Sequence, residues 1–450
     1  MNAIVLITFS IFTLIAYYYG KKDLISPWFL LCLALTASML IVVINTKNWG
    51  VHLSGKFLMY TVSAIVSWGV GSALIRRVYP TQPKGRKSNK PIAESTSISV
   101  HAIAYPVNTM ALVSLAAGVA YVARVISSVP WDGDVAGILR RIYDNTVYNN
   151  YSPGFIFNQM REIVVAIAYI SIYEMLKIRH IREKARLTVL KLCVPVIMLG
   201  CIIAVSTDRN IFLRFAIYVI VISILFLEKD ENYSNIKLIG YVVAVMLAVF
   251  VVFFLLGKAK QYASNFTRAL GIYGGSGLYD FNVWIQDFNG PFQHGASTFK
   301  TTLSALQSIV ERLNGGIVQA GVNRFDEFVT YRAPNGYFFK SNIYSALRPY
   351  VEDFGYAGVI IFPFISGVLF EFLYRVAKRR KGGYAWIFFA MQIYPIVFYP
   401  VQEQLFRRWH LGIIYEIGLS AIIYCICYRR KEIAAKIKYH GKNTRERGEG

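Results

Sequence analysis

The residues best suited to chemistry lie in one stretch of the chain, NIYSALRPYVEDFGYAG, directly before a long apolar run. The candidate side chains in this stretch are Tyr344, Arg348, Tyr350, Glu352 and Asp353. A guanidinium can bind phosphate through two parallel hydrogen bonds, and a neighbouring carboxylate can take a proton from a hydroxyl. The stretch is therefore a candidate site for phosphate binding and hydroxyl deprotonation at a membrane edge. The alternative is a belt of interfacial tyrosines with an arginine–carboxylate bridge.

A second group of charges occurs in STDRNIFLRF, a short connection between two apolar runs. Arg209 lies in the connection, and Arg214 lies about one turn into the following run. Charge at that depth is costly and usually faces a polar cavity or a partner. Arginine never loses its charge and suits an anionic lipid headgroup. We interpret Arg209 and Arg214 as a candidate cationic clamp. The alternative is an Asp208–Arg209 pair, with Arg214 reaching outward to the interface.

Two histidines and two arginines in other connections are further candidates. His294 and His410 could each act as a general base, although a solvated histidine is the simpler interpretation. Arg407 and Arg408, in EQLFRRWH, could join the cationic site or anchor the chain at headgroup level. Glu416, a few residues into the last apolar run, could pair with one of these arginines.

The cysteines and glycines predict neither a metal centre nor a nucleotide loop. All five cysteines lie in apolar runs, and no CxxC spacing occurs. Buried free cysteines behave as small hydrophobes, so no disulfide framework or zinc site is predicted. The segment GIYGGSG lacks the lysine of a phosphate loop and is interpreted as a flexible turn.

Composition indicates the environment in which these residues work. The chain has 450 residues, of which 55% are hydrophobic and only 16% charged, and its formal net charge is +23. Its mean hydropathy is +0.43. So few charges cannot cover the surface of a soluble protein of this size, so soluble, fibrous and disordered classes are excluded. Lys and Arg accumulate on cytoplasmic loops of membrane proteins, so the positive charge does not indicate nucleic acid.

The apolar runs predict an all-α integral membrane protein. About 20 apolar residues span the hydrocarbon core as a helix. Eleven stretches qualify or nearly qualify: 2–20, 26–44, 57–75, 102–126, 160–176, 188–206, 210–227, 238–257, 355–374, 385–402 and 411–428.

The distribution of basic residues orients these helices. The connections 76–101, 177–187 and 375–384 and the tail 429–450 are densely basic. They alternate with less basic loops only if the N-terminus lies outside and the C-terminus inside. We therefore predict the basic tail to be cytoplasmic.

This topology divides the chain around one long loop. The first eight helices occupy 1–257, with a smaller outer loop at 127–159. A large extracytoplasmic loop covers 258–354, and the last three helices occupy 355–428. Two amphipathic stretches, LYDFNVWIQDFNG and STFKTTLSALQSIVERLNGG, predict helices inside the large loop. These helices could cap the bundle or control substrate access.

At 342–358 the sequence resembles the oligosaccharide repeat unit polymerases, the Wzy-type O-antigen polymerases of bacteria. The pattern of that family is Asn-x-Tyr, then Arg-Pro-Tyr, then Asp-Phe-Gly and another glycine before an apolar helix. The matching residues are Asn342, Tyr344, Arg348, Pro349, Tyr350, Asp353, Phe354, Gly355 and Gly358. STDRNIFL is similar to the family's short Ser/Thr-x-Arg turn, and GIYGGSGLYDFN, which contains Tyr273, to its Tyr/Gly segment. The resemblance covers roughly residues 200–375.

The resemblance implies an enzyme of the bacterial cytoplasmic (inner) membrane that acts on the periplasmic face without a metal or other cofactor. Such enzymes transfer a growing glycan from undecaprenyl pyrophosphate to the terminal sugar of a new lipid-linked repeat unit. The product is a surface polysaccharide such as O-antigen, capsule or exopolysaccharide. The implied partners are the lipid-linked donor and acceptor and the bilayer, and a chain-length regulator could join them.

On this resemblance Arg209 and Arg348 would hold the pyrophosphate, and Asp353 is the predicted base. The residues predicted to bind substrate are Arg214, Tyr273, His294, Asn342, Tyr344, Tyr350, Glu352 and Arg408. An O-antigen ligase type of transferase, which has the same donor and lipid A core as acceptor, is the close alternative. A lipid-linked oligosaccharide flippase or another transporter is less favoured, because the sequence has no matched pair of interrupted helices.

Overall fold

A computed structural model gives the fold. It describes residues 1–80, 104–130, 133–149, 151–180, 185–206, 209–228, 266–313, 327–380, 382–407 and 414–427, with scattered positions between 240 and 255. The predicted helix at 238–257 lies largely outside the described residues, and the basic tail from 429 lies wholly outside them.

Eight of the described helices are long and apolar enough to cross a membrane. They are α1 (Asn2–Tyr19), α2 (Pro27–Ile44), α4 (Gly55–Val78), α5 (Ala104–Ile126), α7 (Phe155–His180), α8 (Arg186–Val205), α9 (Arg209–Leu227) and α12 (Leu347–Arg380). This confirms in outline the predicted helical chain with many potential membrane spans.

The remaining elements are shorter. The helices are α3 (Thr46–Trp49), α6 (Val135–Val147), α10 (Phe266–Asp287), α11 (Lys300–Leu313), α13 (Tyr384–Gln392), α14 (Tyr394–Val397) and α15 (Ile414–Cys427). The two amphipathic stretches of the large loop therefore form α10 and α11. The interpretation of GIYGGSG as a flexible turn is wrong, because residues 271–277 belong to helix α10. The stretch predicted as one helix at 385–402 is divided into α13 and α14 and ends at Val397.

A two-stranded antiparallel hairpin, β1 (Val329–Arg332) and β2 (Phe338–Ser341), is an element that the all-α prediction omitted. The signal was present in VTYRAPNGYFFKS, where Pro-Asn-Gly separates two short runs rich in aromatic and β-branched residues. The end of β2 leads directly to the segment that carries Tyr344 and Arg348.

The chain forms two compact units, each assembled from separated parts of the sequence. The first unit comprises 1–83 and 263–413 and contains α1 to α4, α10 to α14 and the hairpin. The second comprises 84–262 and 414–450 and contains α5 to α9 and α15. In the second unit, α5 packs on α7 and α8, and the Tyr218 hydroxyl donates to the Tyr169 carbonyl oxygen at 2.7 Å.

In the first unit, α4 and α12 pack with their backbones in close approach. A methyl group added at Gly367 would lie 2.2 Å from the Trp68 carbonyl oxygen, and one at Gly71 would lie 2.3 Å from the Phe364 carbonyl oxygen. The Ser67 hydroxyl donates to the Ile360 carbonyl oxygen at 2.5 Å. Small residues at such positions are typical of helix pairs that associate within lipid. This pair fixes the position of α12.

Helix α12 is broken at Gly355, which has φ 58° and ψ −142°. A residue with a Cβ rarely adopts this conformation, whereas glycine adopts it readily. The short first part, 347–354, folds back on the long second part. The two backbones approach so closely that a Cβ at Gly358 would lie 2.2 Å from the Tyr350 carbonyl oxygen. The chemically interesting residues therefore lie on a short helix at the start of a long apolar one.

The packing of α4 on α12 predicts that Gly367→Ala lowers the free energy of unfolding by about 1–3 kcal/mol, because the added methyl group forces two backbones apart. Gly200→Ala in α8 is the matched control, since its added methyl group meets no described atom within 4 Å. Thermal unfolding in detergent measures both. Equal stability of the two variants would show that the helices can separate at no cost.

Candidate functional site

The site begins with a loop held against the short helix 347–354. The Asp353 carboxylate accepts hydrogen bonds from the backbone N–H groups of Ser297 at 3.0 Å and Thr298 at 2.5 Å. The Thr298 hydroxyl donates to the Pro349 carbonyl oxygen at 3.2 Å. The backbone N–H of Gln293 donates to the Glu352 carbonyl oxygen at 2.9 Å. Residues 293–298 are therefore tied to the short helix at several points.

Arg348 lies at the centre of the site and is 7% exposed. Its Nε donates to Glu352 Oε1 at 2.7 Å, across one turn of the short helix. The guanidinium also lies over two aromatic rings, with its central carbon 3.9 Å from the Tyr344 ring centroid and 5.1 Å from that of Trp284. Cation–π contacts of this kind are stronger where water is excluded. The side chain is thus oriented by one carboxylate and two rings.

The Ser297 hydroxyl links Glu352 to a second arginine. It donates to Glu352 Oε2 in a short hydrogen bond, and it accepts one from Arg407 Nη2 at 3.2 Å. Arg407 Nε donates to the Ser297 carbonyl oxygen at 3.0 Å. The result is a continuous chain of contacts, Arg348–Glu352–Ser297–Arg407, built from three distant parts of the sequence.

Glu403 holds the turn that carries Arg407. Its carboxylate accepts backbone hydrogen bonds from Leu405 at 2.8 Å, Phe406 at 3.0 Å and Arg407 at 2.6 Å. The Tyr350 hydroxyl donates to the same carboxylate at 3.0 Å. Burial raises the pKa of Glu403, although these hydrogen bonds act in the opposite direction. The turn is therefore fastened to the short helix.

Asp280 on α10 is a further carboxyl group near Arg348, and it is completely buried. Burial raises the pKa of Asp280 well above its ordinary value. The Ser341 hydroxyl, the backbone N–H of Ile343 and the Arg348 guanidinium lower that pKa, but they do not outweigh burial. Burial thus shifts Asp280 towards its neutral form, close to Ser341, whose hydroxyl shares a hydrogen bond of 2.8 Å with that of Ser276.

The cluster around the short helix consists of Arg348, Arg407, Glu352, Asp353, Glu403 and Asp280. Its two arginines lie close to carboxylates and do not form a purely cationic site. Arg348 faces Glu352, and Arg407 lies on a turn built around Glu403. Glu352 therefore occupies the Nε position of the Arg348 guanidinium, which is one of the donors that a phosphate could use. A guanidinium, a carboxylate and a hydroxyl therefore lie close together beside two aromatic rings. They belong to Arg348, Glu352, Ser297, Tyr344 and Trp284.

The structure gathers Tyr344, Arg348, Tyr350, Glu352 and Asp353 on and beside the short helix. Tyr344 and Tyr350 are buried, and the Tyr344 hydroxyl donates to the Glu327 carbonyl oxygen at 2.9 Å. Asp353, the predicted base, is wholly buried, with both oxygens directed at backbone N–H groups. That geometry favours a structural role for Asp353, and its role as base stays a prediction.

Other predicted site residues have different environments. Asn342 follows β2 and is half-buried, and Tyr273 is half-buried on α10. His294 is exposed and has a positive φ of 49°. Arg408 and His410 lie outside the described residues.

Arg209 and Arg214 belong to the second unit. Arg209 begins α9, and its side chain is not among those that the structure describes. Arg214 Nη1 lies 2.8 Å from Glu416 Oε2 of α15. Glu416 therefore pairs with Arg214, whereas the sequence suggested Arg407 or Arg408 as its partner. The Arg214 charge is largely compensated by this carboxylate.

The residues predicted from the sequence do not include Ser297, Glu403 or Asp280. For Arg407 the sequence allowed either a place in the cationic site or a role as an anchor at headgroup level. Glu403 and Arg407 lie four residues apart in EQLFRR, a spacing that suits a turn closed by a carboxylate. Asp280 stands out as an acidic residue within the apolar stretch LYDFNVW. Ser297 had no local signal, because its partners Glu352 and Arg407 are 55 and 110 residues away.

Among the described residues, no group of three or more His, Cys, Asp or Glu side chains could hold a metal ion. Comparison of the chain with protein-family models, with curated proteins and with solved structures finds no match.

The contacts of Asp353 predict a structural defect in Asp353→Asn, because the new amide group directs a donor at a backbone N–H. We expect the free energy of unfolding to fall by about 1–3 kcal/mol. Hydrogen exchange should become faster across 293–299. Asp287→Asn, at an exposed position on α10, is the control. Normal stability and exchange together with lost activity would instead indicate that Asp353 takes part in the chemistry.

Proposed function

We propose that this chain is a membrane glycosyltransferase that polymerises undecaprenyl-pyrophosphate-linked oligosaccharide repeat units into a surface polysaccharide. The observation that carries the proposal is the buried Arg348–Glu352 pair at the break before the long part of α12. Tyr344 and Tyr350 lie beside this pair, and all four residues belong to the segment that resembles the polymerase family.

The proposal includes a location and a topology. We place the chain in the bacterial cytoplasmic membrane with eleven membrane helices, the N-terminus outside and the C-terminus inside. The last turn of α12 carries Lys378, Arg379 and Arg380, whereas Gly355 lies near its other end. Basic residues favour the cytoplasmic side, so the short helix and the site would face the periplasm.

The chemistry required is the transfer of a glycan from a pyrophosphate to a sugar hydroxyl. The acceptor oxygen bonds to the anomeric carbon while the bond from that carbon to the pyrophosphate oxygen breaks. The electron pair of the broken bond stays with the pyrophosphate, and a carboxylate takes the proton of the acceptor. Arg348 would stabilise the negative charge that develops on the leaving group, because a preoriented cation in a dry site acts strongly. The phosphate-binding role of Arg209 in the second unit stays a prediction from the sequence.

The proposal also names the partners of the enzyme. They are a lipid-linked donor, a lipid-linked acceptor and the surrounding bilayer, with a chain-length regulator as a further candidate. The exposed apolar surfaces of α1 and α8 suit contact with lipid acyl chains. The aromatic rings of Tyr344 and Trp284 suit a sugar ring as well as a guanidinium, and they lie at the centre of the site.

Arg348→Ala is expected to lower polymer formation at least about 100-fold, because a charged hydrogen-bond donor is lost from the site. Arg348→Lys is expected to fail as well, since an ammonium group cannot form the bidentate contact. Cells that carry either variant should display a polysaccharide of one repeat unit on gel analysis. Arg332→Ala, at an exposed position on β1, is the matched control and should give normal chains.

Two results would contradict the proposal. Long chains in cells that produce normal amounts of the Arg348→Ala protein would remove Arg348 from the site. Complete absence of surface polysaccharide in a deletion strain, without even single repeat units, would favour a flippase, because a flippase acts before any unit reaches the outer face.

A further inference from the structure

We propose that Glu352 is the proton acceptor of the transfer reaction and that its protonation releases the charge of Arg348 for the leaving pyrophosphate. This inference rests on the proposed function and assigns the base within the same site. It depends on the chain of contacts from Arg348 through Glu352 and Ser297 to Arg407.

Exposure favours Glu352 over the neighbouring carboxyl groups. Among the described carboxyl groups of the cluster, Asp280 and Asp353 are 0% exposed and Glu403 is 3% exposed, whereas Glu352 is 8% exposed. Asp353 and Glu403 are also occupied by backbone N–H groups. Among these four carboxyl groups, Glu352 is therefore the most exposed, and the described contacts of its side chain involve no backbone N–H group.

Hydrogen-bonding capacity also favours Glu352. Its Oε1 accepts from Arg348, and its Oε2 accepts from the Ser297 hydroxyl. Each carboxylate oxygen has two lone-pair directions, so Oε2 can accept a second hydrogen bond from an incoming hydroxyl. The acceptor oxygen would then lie close to both Glu352 and Arg348.

The two charges are coupled in a way that suits the reaction. Before transfer, the carboxylate of Glu352 is paired with the guanidinium of Arg348. As the acceptor hydroxyl bonds to the anomeric carbon, its proton moves to Glu352 Oε2 and the carboxyl becomes neutral. Arg348 then loses its anionic partner while the departing pyrophosphate gains the electron pair of the broken bond. The cation thus becomes available as the leaving group needs it.

Ser297 and Arg407 act as positioning residues in this scheme. Arg407 donates to both the carbonyl oxygen and the hydroxyl oxygen of Ser297. These contacts leave the hydroxyl hydrogen of Ser297 directed at Glu352 Oε2, which holds the carboxylate in one orientation. A preorganised base loses less entropy in the transition state than a mobile one.

The test uses the full chain in lipid nanodiscs with a synthetic polyprenyl-pyrophosphate-linked repeat unit, and it measures polymer length and rate. Glu352→Gln keeps the size and the acceptor oxygen of the side chain but cannot take the proton. Its rate should fall at least about 100-fold, with thermal unfolding close to wild type and with binding of the lipid-linked substrate no weaker than in wild type. A rate within about threefold of wild type would overturn the assignment.

Chemical rescue separates a base from a structural residue. Added formate should restore part of the rate of Glu352→Ala, because the small carboxylate can replace the missing base. It should not restore Asp353→Ala, whose carboxylate holds the 293–299 loop. Rescue of Asp353→Ala by formate would show that Asp353, and not Glu352, is the proton acceptor. If Glu352→Ala does not fold, the rate of Glu352→Gln decides the matter.

Ser297 is tested through kcat. Ser297→Ala should lower kcat about tenfold with little change in KM, and Ser297→Thr should restore it, because threonine supplies the same hydroxyl. An unchanged kcat in Ser297→Ala would remove Ser297 from the mechanism. Failure of the proposed function has a different signature, since the wild-type protein itself would then form no polymer from the lipid-linked unit.

Discussion

The two hydrogen bonds from the backbone N–H groups of Ser297 and Thr298 to the Asp353 carboxylate are the contact on which the site depends. A buried carboxylate that accepts hydrogen bonds from two backbone N–H groups is strongly held. Breaking the contact would leave the carboxylate and both N–H groups unpaired in the interior, which is costly. This contact places the Ser297 hydroxyl on Glu352 and its carbonyl oxygen within reach of Arg407. Without this contact, Ser297 would not link Glu352 to Arg407 beside Arg348.

The position of that contact follows from the backbone of α12. The break at Gly355 turns the short helix 347–354 back on the long helix, and the close packing of α12 on α4 fixes the long helix in turn. The polar residues of the site therefore lie at the start of a long apolar helix. Such an arrangement lets a chain that dissolves in lipid keep charged side chains where backbone and hydroxyl partners can satisfy them.

The charges of the site are balanced before any ligand binds. Arg348 is paired with Glu352, and the turn that carries Arg407 is built around Glu403. An anion that binds here therefore meets an arginine that already has a carboxylate partner. This balance is the reason that a base next to Arg348 suits the proposed transfer, since one proton movement changes the charge available to the leaving group.

The sequence alone determined the helical character of the chain and the suitability of eight helices for a membrane, because the length of an apolar run is a local property. It also determined that Arg348, Tyr350 and Glu352 lie together, with Tyr344 close by, because helical spacing is local as well. Local spacing also holds the signal for the hairpin β1–β2, because Pro-Asn-Gly separates two short runs rich in aromatic and β-branched residues. Only the tertiary structure decided that Ser297, Arg407, Glu403 and Asp280 surround this segment and that Arg214 faces Glu416. These residues lie many positions apart in the chain, and their contacts depend on how helices and loops pack, which no local pattern specifies.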